Sequence, residues 1–345
     1  MSGGFGWHRN DTVKESIRLP DDPFRRAVRA YEPPAASKPA ASVRARVIDP
    51  TPPPTRKLPS AAAVGMPVPG AGGSMRSTAS NVMIVVMDVT GSMHAWPGEI
   101  FKRLPLLYHE ACAYLDSDDL EILFIAHADA AGDEYPLQVA RFGRGPELDP
   151  MLGAFRIGGG GTERDGCESH ELVLYKLVRD VDTSSAVNVH AFFITDEAGR
   201  DALNETQVRA VFGRPVEGET RATKDLARQL LRRMNLWAVL CETGSYSPGP
   251  ILAWWESLIG NDRIVPLNDH RRVVDVLLAT LAKHTGQIDR FTTNMRSRQA
   301  GSRYAGQNVK TVMDSVAAVG TRGPLAPKAI AGLGTRPLLP AKKND

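Results

Sequence analysis

Five oxygen-bearing side chains in this sequence have the types and spacing to hold a hard cation together. Asp88, Thr90 and Ser92 stand at alternate positions directly after the apolar run VMIVVM, with a glycine between the last two that allows a tight turn. Thr162 follows the glycine run GGGG, and Asp196 follows the apolar run VNVHAFFIT. Mg²⁺ prefers about six oxygen ligands and keeps several waters, so few charged side chains suffice. The residue types therefore indicate a site for Mg²⁺, or else for Mn²⁺ or Ca²⁺.

These side chains need a scaffold that brings distant segments together, and residues 81–285 predict one. Apolar runs typical of strands buried on both faces alternate there with helical patterns. Strands are expected at residues 82–87, 120–127, 136–142, 187–195, 236–241 and 263–267, and helices at residues 99–115, 167–181, 222–234, 250–259 and 270–284. Such alternation implies an α/β fold with a doubly wound, mostly parallel central sheet flanked by helices. Ligands of these sheets bind at the carboxyl ends of the strands, where the five side chains fall.

The net charge of +3 hides a division of the chain into three regions. Residues 1–80 hold 12 basic and 6 acidic side chains, residues 81–285 hold 20 and 30, and residues 286–345 hold 10 and 3. Twelve of the 25 prolines lie in the first 80 residues. We therefore expect a basic, largely disordered arm at 1–80, one α/β domain at 81–285, and a loosely ordered basic tail at 286–345.

Each tail contains one short segment in which apolar residues have helical spacing. These residues stand at positions 24, 27, 28 and 31 in the arm, and at positions 309, 312, 313 and 316 in the tail. Two interpretations remain open for each segment. It is a helix that docks on the domain or on a partner, or it is a helix of marginal stability without a function, because short helices are unstable alone.

The cysteines and the apolar segments bear on the class and location of the protein. Cys112, Cys167 and Cys241 are far apart and form no CxxC pair, so we expect reduced thiols rather than a zinc or redox site. The apolar runs are much shorter than the roughly 20 residues that a membrane-spanning helix needs. The first residues lack the pattern of a signal peptide. We expect a cytoplasmic protein without a membrane span.

The order of the five side chains resembles a known site. Asp-Val-Thr-Gly-Ser-Met follows the first apolar strand, a threonine follows the glycine run, and an aspartate follows a later strand. This arrangement is similar to the metal-ion-dependent adhesion site of von Willebrand factor type A (VWA) domains, whose motif is Asp-x-Ser/Thr-x-Ser, a distant Thr and a distant Asp. Over residues 81–285 the chain resembles a bacterial-type intracellular member of that family.

The resemblance implies a role for each side chain. Thr90 and Ser92 would bind the ion directly, and Thr162 would bind it directly or through water. Asp88 and Asp196 would hold waters around the ion and neutralise part of its charge. Another protein would supply an Asp or Glu to the open coordination position, and its binding would be lost with EDTA. Because the direct ligands are neutral, the ion stays electrophilic toward that carboxylate.

The function implied by the resemblance is a non-enzymatic protein–protein interaction module, an adaptor or scaffold in an intracellular complex. Intracellular bacterial members of the family often work beside AAA+ ATPases or in stress-response systems, so an AAA+ ATPase is a candidate partner. Two alternatives remain. A metal-dependent hydrolase would use Asp88 and Asp196, although two-metal hydrolysis needs more carboxylates. A nucleic-acid-binding scaffold would use the basic tails, but these lack an aromatic stacking platform, so nucleic acid is not the expected partner.

Other titratable residues near these positions are expected to have no chemical role. The four acidic residues at positions 163, 165, 168 and 171 are interpreted as a solvated acidic rim beside Thr162. His127 and Asp129, at the end of the second strand, are interpreted as structural packing. An acid–base pair at that point would need a nucleophile with an activating partner, and none is evident.

Overall fold

The architecture is that of a computed structural model, which describes residues 57–59, 64, 66, 69–158, 167–244 and 247–320. Within these residues the strands are β1 Met75–Arg76, β2 Asn81–Asp88, β3 Leu120–His127, β4 Leu137–Val139, β5 Cys167–Glu168, β6 Val181–Asp182, β7 Asn188–Thr195, β8 Ala198–Gly199, β9 Asn235–Cys241 and β10 Ile264–Leu267. The α-helices are α1 Trp96–Lys102, α2 Leu104–Tyr114, α3 Leu148–Gly153, α4 His170–Arg179, α5 Glu205–Phe212, α6 Thr223–Leu231, α7 Pro248–Ile259, α8 Val273–His284, α9 Ile288–Arg298 and α10 Ala305–Ser315.

Six strands form the central sheet, in the order β10-β9-β7-β2-β3-β4. Neighbouring strands are parallel except for β4, which is antiparallel to β3. The chain passes from β2 to β3 on one side and later returns to β7 on the other, so the strand order reverses at β2. A doubly wound sheet has its ligand crevice at such a reversal, at the carboxyl ends of the strands. The predicted α/β fold class is confirmed.

The central strand β2 shows why the sequence contains a continuous apolar run. Successive side chains of a strand point to opposite faces of the sheet. Odd positions from Met83 to Met87 pack with α1, α2, α8, α9 and α10, and even positions from Val82 to Val86 pack with α4, α6 and α7. Every residue of β2 is buried. Helices therefore cover both faces of the sheet, and both faces of the strand must be apolar.

The helix expected at residues 99–115 is in fact two helices, α1 and α2, which are separated at Arg103. Pro105 lies in the first turn of α2. Proline has no N–H to bond the carbonyl four residues earlier, and its ring clashes with that carbonyl. A continuous helix through this point is therefore disfavoured, whereas a proline in a first turn is well tolerated.

The helix expected at residues 167–181 begins later than the pattern predicted, at His170. Before it, β5 pairs in parallel with β8, which sets Glu168 opposite Gly199. A Cβ at Gly199 would lie 2.8 Å from Cη2 of Trp254 and 3.0 Å from Cβ of His170. Glycine at this position therefore lets α7 and α4 approach the end of the sheet closely.

The packed body continues past residue 285, where the sequence predicted a loosely ordered tail. Phe291 and Met295 of α9, and Val309 and Val312 of α10, are buried in the same core layer as α8. The apolar spacing that predicted a helix near residue 309 is therefore that of a helix docked on the domain. The helix expected at positions 24–31, most of the arm and residues 321–345 lie outside the described residues.

All three cysteines lie in the part of the chain that the structure describes. All three cysteines are free thiols, and Cys112 and Cys241 are buried. None of the helices that the structure describes combines the length and the apolar composition required to cross a membrane.

Candidate metal centre

The fold brings four of the five predicted site residues together at one edge of the sheet. Asp88 ends β2, and Thr195 ends the adjacent parallel strand β7. Thr90 and Ser92 lie in the turn after β2, and Asp196 directly follows Thr195. Thus Asp88, Thr90, Ser92 and Asp196 meet at the carboxyl edge, where the strand order reverses.

The fifth predicted residue, Thr162, lies outside the described residues, as do Glu163 and Asp165 of the expected acidic rim. The glycine run that precedes Thr162 begins at Gly158. The backbone N–H of Gly158 donates to the carbonyl of Val89 at 2.8 Å. The start of this run is therefore fixed beside the turn that follows β2.

Asp88 is fully buried, and neutral groups hold both of its carboxylate oxygens. Oδ1 accepts from the backbone N–H of Thr90 at 2.9 Å and from the Thr90 hydroxyl at 2.6 Å. Oδ2 accepts from the hydroxyl of Thr195 at 2.9 Å. The bonds from Thr90 close an Asx turn, so the spacing of these two residues also shapes the backbone of the site.

Asp196 is held in a similar way from two other segments. Its Oδ1 accepts from the hydroxyl of Ser92 at 3.1 Å, and its Oδ2 accepts from the hydroxyl of Thr243. Thr243 lies just after β9, which is the next strand along the sheet from β7. Two buried aspartates and four hydroxyls are thus joined across three neighbouring strand ends.

The direction of these hydrogen bonds leaves the hydroxyl oxygens able to bind a cation. The hydroxyls of Thr90 and Ser92 each give their proton to a carboxylate, so oxygen lone pairs remain for other contacts. Such oxygens are neutral ligands of the kind that hard divalent cations accept. In the described part of the chain, no group of three or more His, Cys, Asp or Glu is arranged to hold a metal ion. The oxygens that the described residues bring together at this edge are hydroxyl and carboxylate oxygens.

Burial disfavours the ionised form of both Asp88 and Asp196. It raises the pKa of Asp88 from 3.8 to about 6, although the hydrogen bonds from Thr90 and Thr195 lower that pKa. Burial also raises the pKa of Asp196, and the nearby charge of Asp88 adds to the effect, while the bond from Thr243 opposes it. A bound cation would favour the ionised form of both side chains. The electrostatics therefore fit a divalent cation.

Glu168 and Glu171 do not form the solvated rim that the sequence suggested. They are 5% and 0% exposed, because the pairing of β5 with β8 and the start of α4 fold this segment against the sheet. Burial raises the pKa of Glu168 to about 11, with contributions from the charges of Asp88 and Glu197. Burial raises the pKa of Glu171 to about 7. The prediction of a solvated rim is wrong for these two residues.

The histidines near the centre are packed side chains. His127 ends β3, and its ring centroid lies 4.5 Å from that of His170. Burial lowers the pKa of His127 to about 3 and that of His170 well below its usual 6.5, so both imidazoles are neutral near pH 7. Asp129 pairs with Arg200, whose Nη1 lies 2.8 Å from its Oδ1. This geometry agrees with structural packing of His127 and Asp129.

The sequence patterns singled out neither Thr195 nor Thr243. Thr195 is the last residue of β7, and Thr243 lies two residues past the end of β9. Both satisfy the positional rule that identified Asp88, namely a polar residue at the carboxyl end of a central parallel strand. Applying that rule to every hydroxyl residue at a strand end would have found them.

A cavity of about 430 Å³ adjoins the centre. Val89, the residue after Asp88, forms part of its wall together with Gly158. Asp133, Glu134 and Arg156 give the wall charges of both signs. The cavity lies beside the proposed cation ligands rather than at them.

No protein-family model and no curated protein sequence matches this chain. Two crystal structures of the pilus adhesin SpaC from Lactobacillus rhamnosus GG are similar to it. One shares 12% identity at a TM-score of 0.44 and covers 65% of this chain and 33% of the adhesin chain. The open conformation shares 14% identity at a TM-score of 0.42 and covers 66% and 33%. This chain thus spans about a third of the adhesin chains that it matches.

Proposed function

We propose that this chain is a divalent-cation-dependent protein-binding module. The hydroxyls of Thr90 and Ser92 would hold Mg²⁺, or else Mn²⁺ or Ca²⁺. Asp88 and Asp196 would orient water around the ion and balance its charge, and Thr162 would complete the set, as the sequence motif implies. An Asp or Glu of a partner protein takes the open coordination position. The function is binding rather than catalysis.

One observation carries this proposal, the pairing of each ligand hydroxyl with a buried aspartate. Thr90 bonds to Asp88 within one turn, whereas Ser92 bonds to Asp196 across 104 positions of sequence. Among the residues that the structure describes, the hydrogen-bond donors to Asp88 are one amide and two hydroxyls. The carboxylate charge is thus held by neutral groups, which is the arrangement that a bound cation would complete.

The chemistry of the site defines the class of partner. Neutral hydroxyl ligands remove little of the ion's positive charge, so the ion retains a strong attraction for an anionic oxygen. A carboxylate on a protein surface supplies that oxygen, and hard cations prefer oxygen ligands of this type. The partner is therefore a protein with an accessible Asp or Glu, and an AAA+ ATPase is the candidate that we would test first.

Cation binding can be measured without a partner by titrating the chain with Mn²⁺ and following free Mn²⁺ by electron paramagnetic resonance. We expect wild type to bind and Ser92→Ala to bind about tenfold more weakly or worse, because a direct ligand is lost. Ser315→Ala is the matched control, because its hydroxyl bonds to the carbonyl of Thr311 in α10. Equal affinity of wild type and Ser92→Ala would contradict the proposed site.

Partner binding is tested by capture with wild type and Ser92→Ala, each in Mg²⁺ and in EDTA. A protein captured only by wild type in Mg²⁺ supports the proposal, and substitution of its acidic residues then locates the carboxylate. Capture that ignores both EDTA and the substitution, but falls steeply with salt, would assign binding to basic segments instead. Turnover of a phosphoester in Mg²⁺ would favour the hydrolase alternative.

A further inference from the structure

We infer that Thr195 is the positioning residue of the metal centre, since it fixes the orientation and spacing of both aspartates. This inference rests on the proposed function and names a residue that the metal-site motif does not include. Thr195 is fully buried at the end of β7. Its hydroxyl bonds to Asp88 at 2.9 Å, while its backbone carries Asp196 as the next residue.

The proton of the Thr195 hydroxyl has two acceptors within reach, Oδ2 of Asp88 at 2.9 Å and, in one tautomer, Nε2 of His170 at 3.4 Å. The backbone N–H of Glu197 donates to Thr195 Oγ1 at 3.1 Å, and an amide N–H can only donate. The ionised carboxylate is the nearer and stronger acceptor, so the hydroxyl donates to Oδ2 of Asp88. These two bonds together fix the Thr195 rotamer, and the rotamer in turn fixes the second oxygen of Asp88.

The surroundings of Thr195 hold this arrangement rigid. His170 Nε2 lies 3.4 Å from Thr195 Oγ1, and the imidazole packs edge-on against Trp255 with ring centroids 5.0 Å apart. The indole N–H of Trp255 donates to the carbonyl of Glu197 at 3.1 Å. The residues on either side of Asp196 are therefore both anchored, so the segment that carries this aspartate cannot shift independently of Asp88.

The consequence for the cation is geometric. Asp88 and Asp196 come from different strands, and hydration of the ion depends on how far apart and in which direction their carboxylates lie. Thr195 belongs to the strand of Asp196 and bonds to the aspartate of the neighbouring strand. Without its hydroxyl, Oδ2 of Asp88 loses its one protein donor among the described residues, and the carboxylate is held from the Thr90 side alone.

The test is Mn²⁺ affinity of the full chain for wild type, Thr195→Val, Thr195→Ala and Thr195→Ser. Loss of a group that orients a metal ligand costs about 10- to 100-fold in affinity. We expect a loss in that range for Thr195→Val, which keeps the volume but lacks the hydroxyl, and near wild-type affinity for Thr195→Ser. Thr195→Ala lacks the hydroxyl without adding bulk, and it replaces the valine variant if that variant does not fold.

The matched control is Thr280→Val in α8. Thr280 is as buried as Thr195, but its hydroxyl donates to the carbonyl of Val276 at 2.8 Å, away from the centre. We expect this variant to bind Mn²⁺ as wild type does. Thermal unfolding of each metal-free variant by circular dichroism shows whether a change in affinity merely follows a change in stability.

The outcomes separate this inference from the proposed function. Unchanged Mn²⁺ affinity in Thr195→Val would overturn the positioning role while leaving the metal site in place. Equal losses in Thr195→Val and Thr195→Ser would also overturn it, because the serine variant retains the hydroxyl. If wild type itself binds no Mn²⁺, the proposed function fails first. Loss in the valine variant with rescue by serine supports the inference.

Discussion

Two fully buried aspartates of this protein, Asp88 and Asp275, accept hydrogen bonds from different kinds of donor. Asp275 in α8 accepts from the guanidinium groups of Arg103, Arg272 and Arg298 at 2.9 to 3.3 Å. Asp88 accepts from one amide and two hydroxyls at 2.6 to 2.9 Å. We call the first group of four residues the arginine cluster. The hydroxyl cluster comprises Asp88, Thr90, Ser92, Thr195, Asp196 and Thr243.

The difference distinguishes a charge that holds the fold from a charge that remains available to a ligand. The arginine cluster ties the junction of α1 and α2 to α8 and α9, and protein cations already neutralise its carboxylate. The hydroxyl cluster supplies hydrogen bonds without a positive charge, at the edge of the sheet where ligands bind. The first should therefore respond to mutation mainly in stability, and the second mainly in cation affinity.

The largest effect is expected for Asp275→Ala. Removing this carboxylate leaves three buried guanidinium groups without their shared acceptor, and breaking a buried ion pair in this way costs about 3 to 5 kcal/mol of unfolding free energy. Urea unfolding measures the loss. The control is Asp225→Ala, which breaks the exposed pair with Arg228 and should cost about 0.5 kcal/mol. A loss below about 1 kcal/mol for Asp275→Ala would contradict the structural role of the cluster.

Asp88→Asn should change the affinity for the cation much more than the stability of the fold. We expect Mn²⁺ affinity to fall by about 100-fold, because the charge that orders water around the ion is lost. The unfolding free energy of the metal-free protein should change by less than about 1 kcal/mol, because the amide keeps the shape of the carboxyl and removes a buried charge. Metal titration and urea unfolding of the same sample separate the two quantities. A large loss of stability with unchanged affinity would make Asp88 a structural residue like Asp275.

The pH dependence of stability gives a third test, through Glu171. Its folded pKa of about 7 lies above its usual 4.5 because of burial, so the folded state binds more protons between these pH values. The free energy of unfolding therefore falls as pH rises through this window. Relative to wild type in EDTA, Glu171→Gln should gain about 3 kcal/mol between pH 4.5 and pH 8. Glu219→Gln, at an exposed position, should follow wild type, and a parallel curve for Glu171→Gln would refute the prediction.

The smallest effect is expected for Thr243→Val. This change removes the hydroxyl that donates to Oδ2 of Asp196, but the bond from Ser92 to Oδ1 remains. Mn²⁺ affinity should fall about tenfold, at the low end of the range for groups that orient metal ligands. Thr243→Ser keeps the hydroxyl and should bind as wild type does. A serine variant as weak as the valine variant would show that the methyl group, rather than the hydroxyl, matters at this position.

Much of the fold could be predicted from the sequence because a strand buried on both faces requires an uninterrupted apolar run. The segments ending at Asp88, His127, Thr195 and Cys241 carry such runs and are the four longest strands of the sheet. The break at Arg103 was missed because the apolar spacing continues through it, although Pro105 marks it. The docking of α9 was missed because its apolar residues are few among polar and basic ones.

Part of the candidate site could likewise be predicted from the sequence, and part of it could not. Asp88, Thr90 and Ser92 are close together in sequence, so their spacing after a strand predicts a shared turn. The burial of Glu168 and Glu171 could not be predicted, because charged residues normally lie at the surface and no local pattern reports the pairing of β5 with β8. The bond between Thr195 and Asp88 depends on β7 lying beside β2, which periodicity does not determine.

The sequence by itself determined the fold class, the positions of the strand ends and the residue types that stand at those ends. These properties follow from hydrophobic period and turn chemistry, which act over a few residues. Only the tertiary structure decided which strand ends are neighbours, which hydroxyl bonds to which carboxylate, and which acidic side chains are buried. Strand order and burial depend on the packing of distant segments, and that packing is a property of the whole chain.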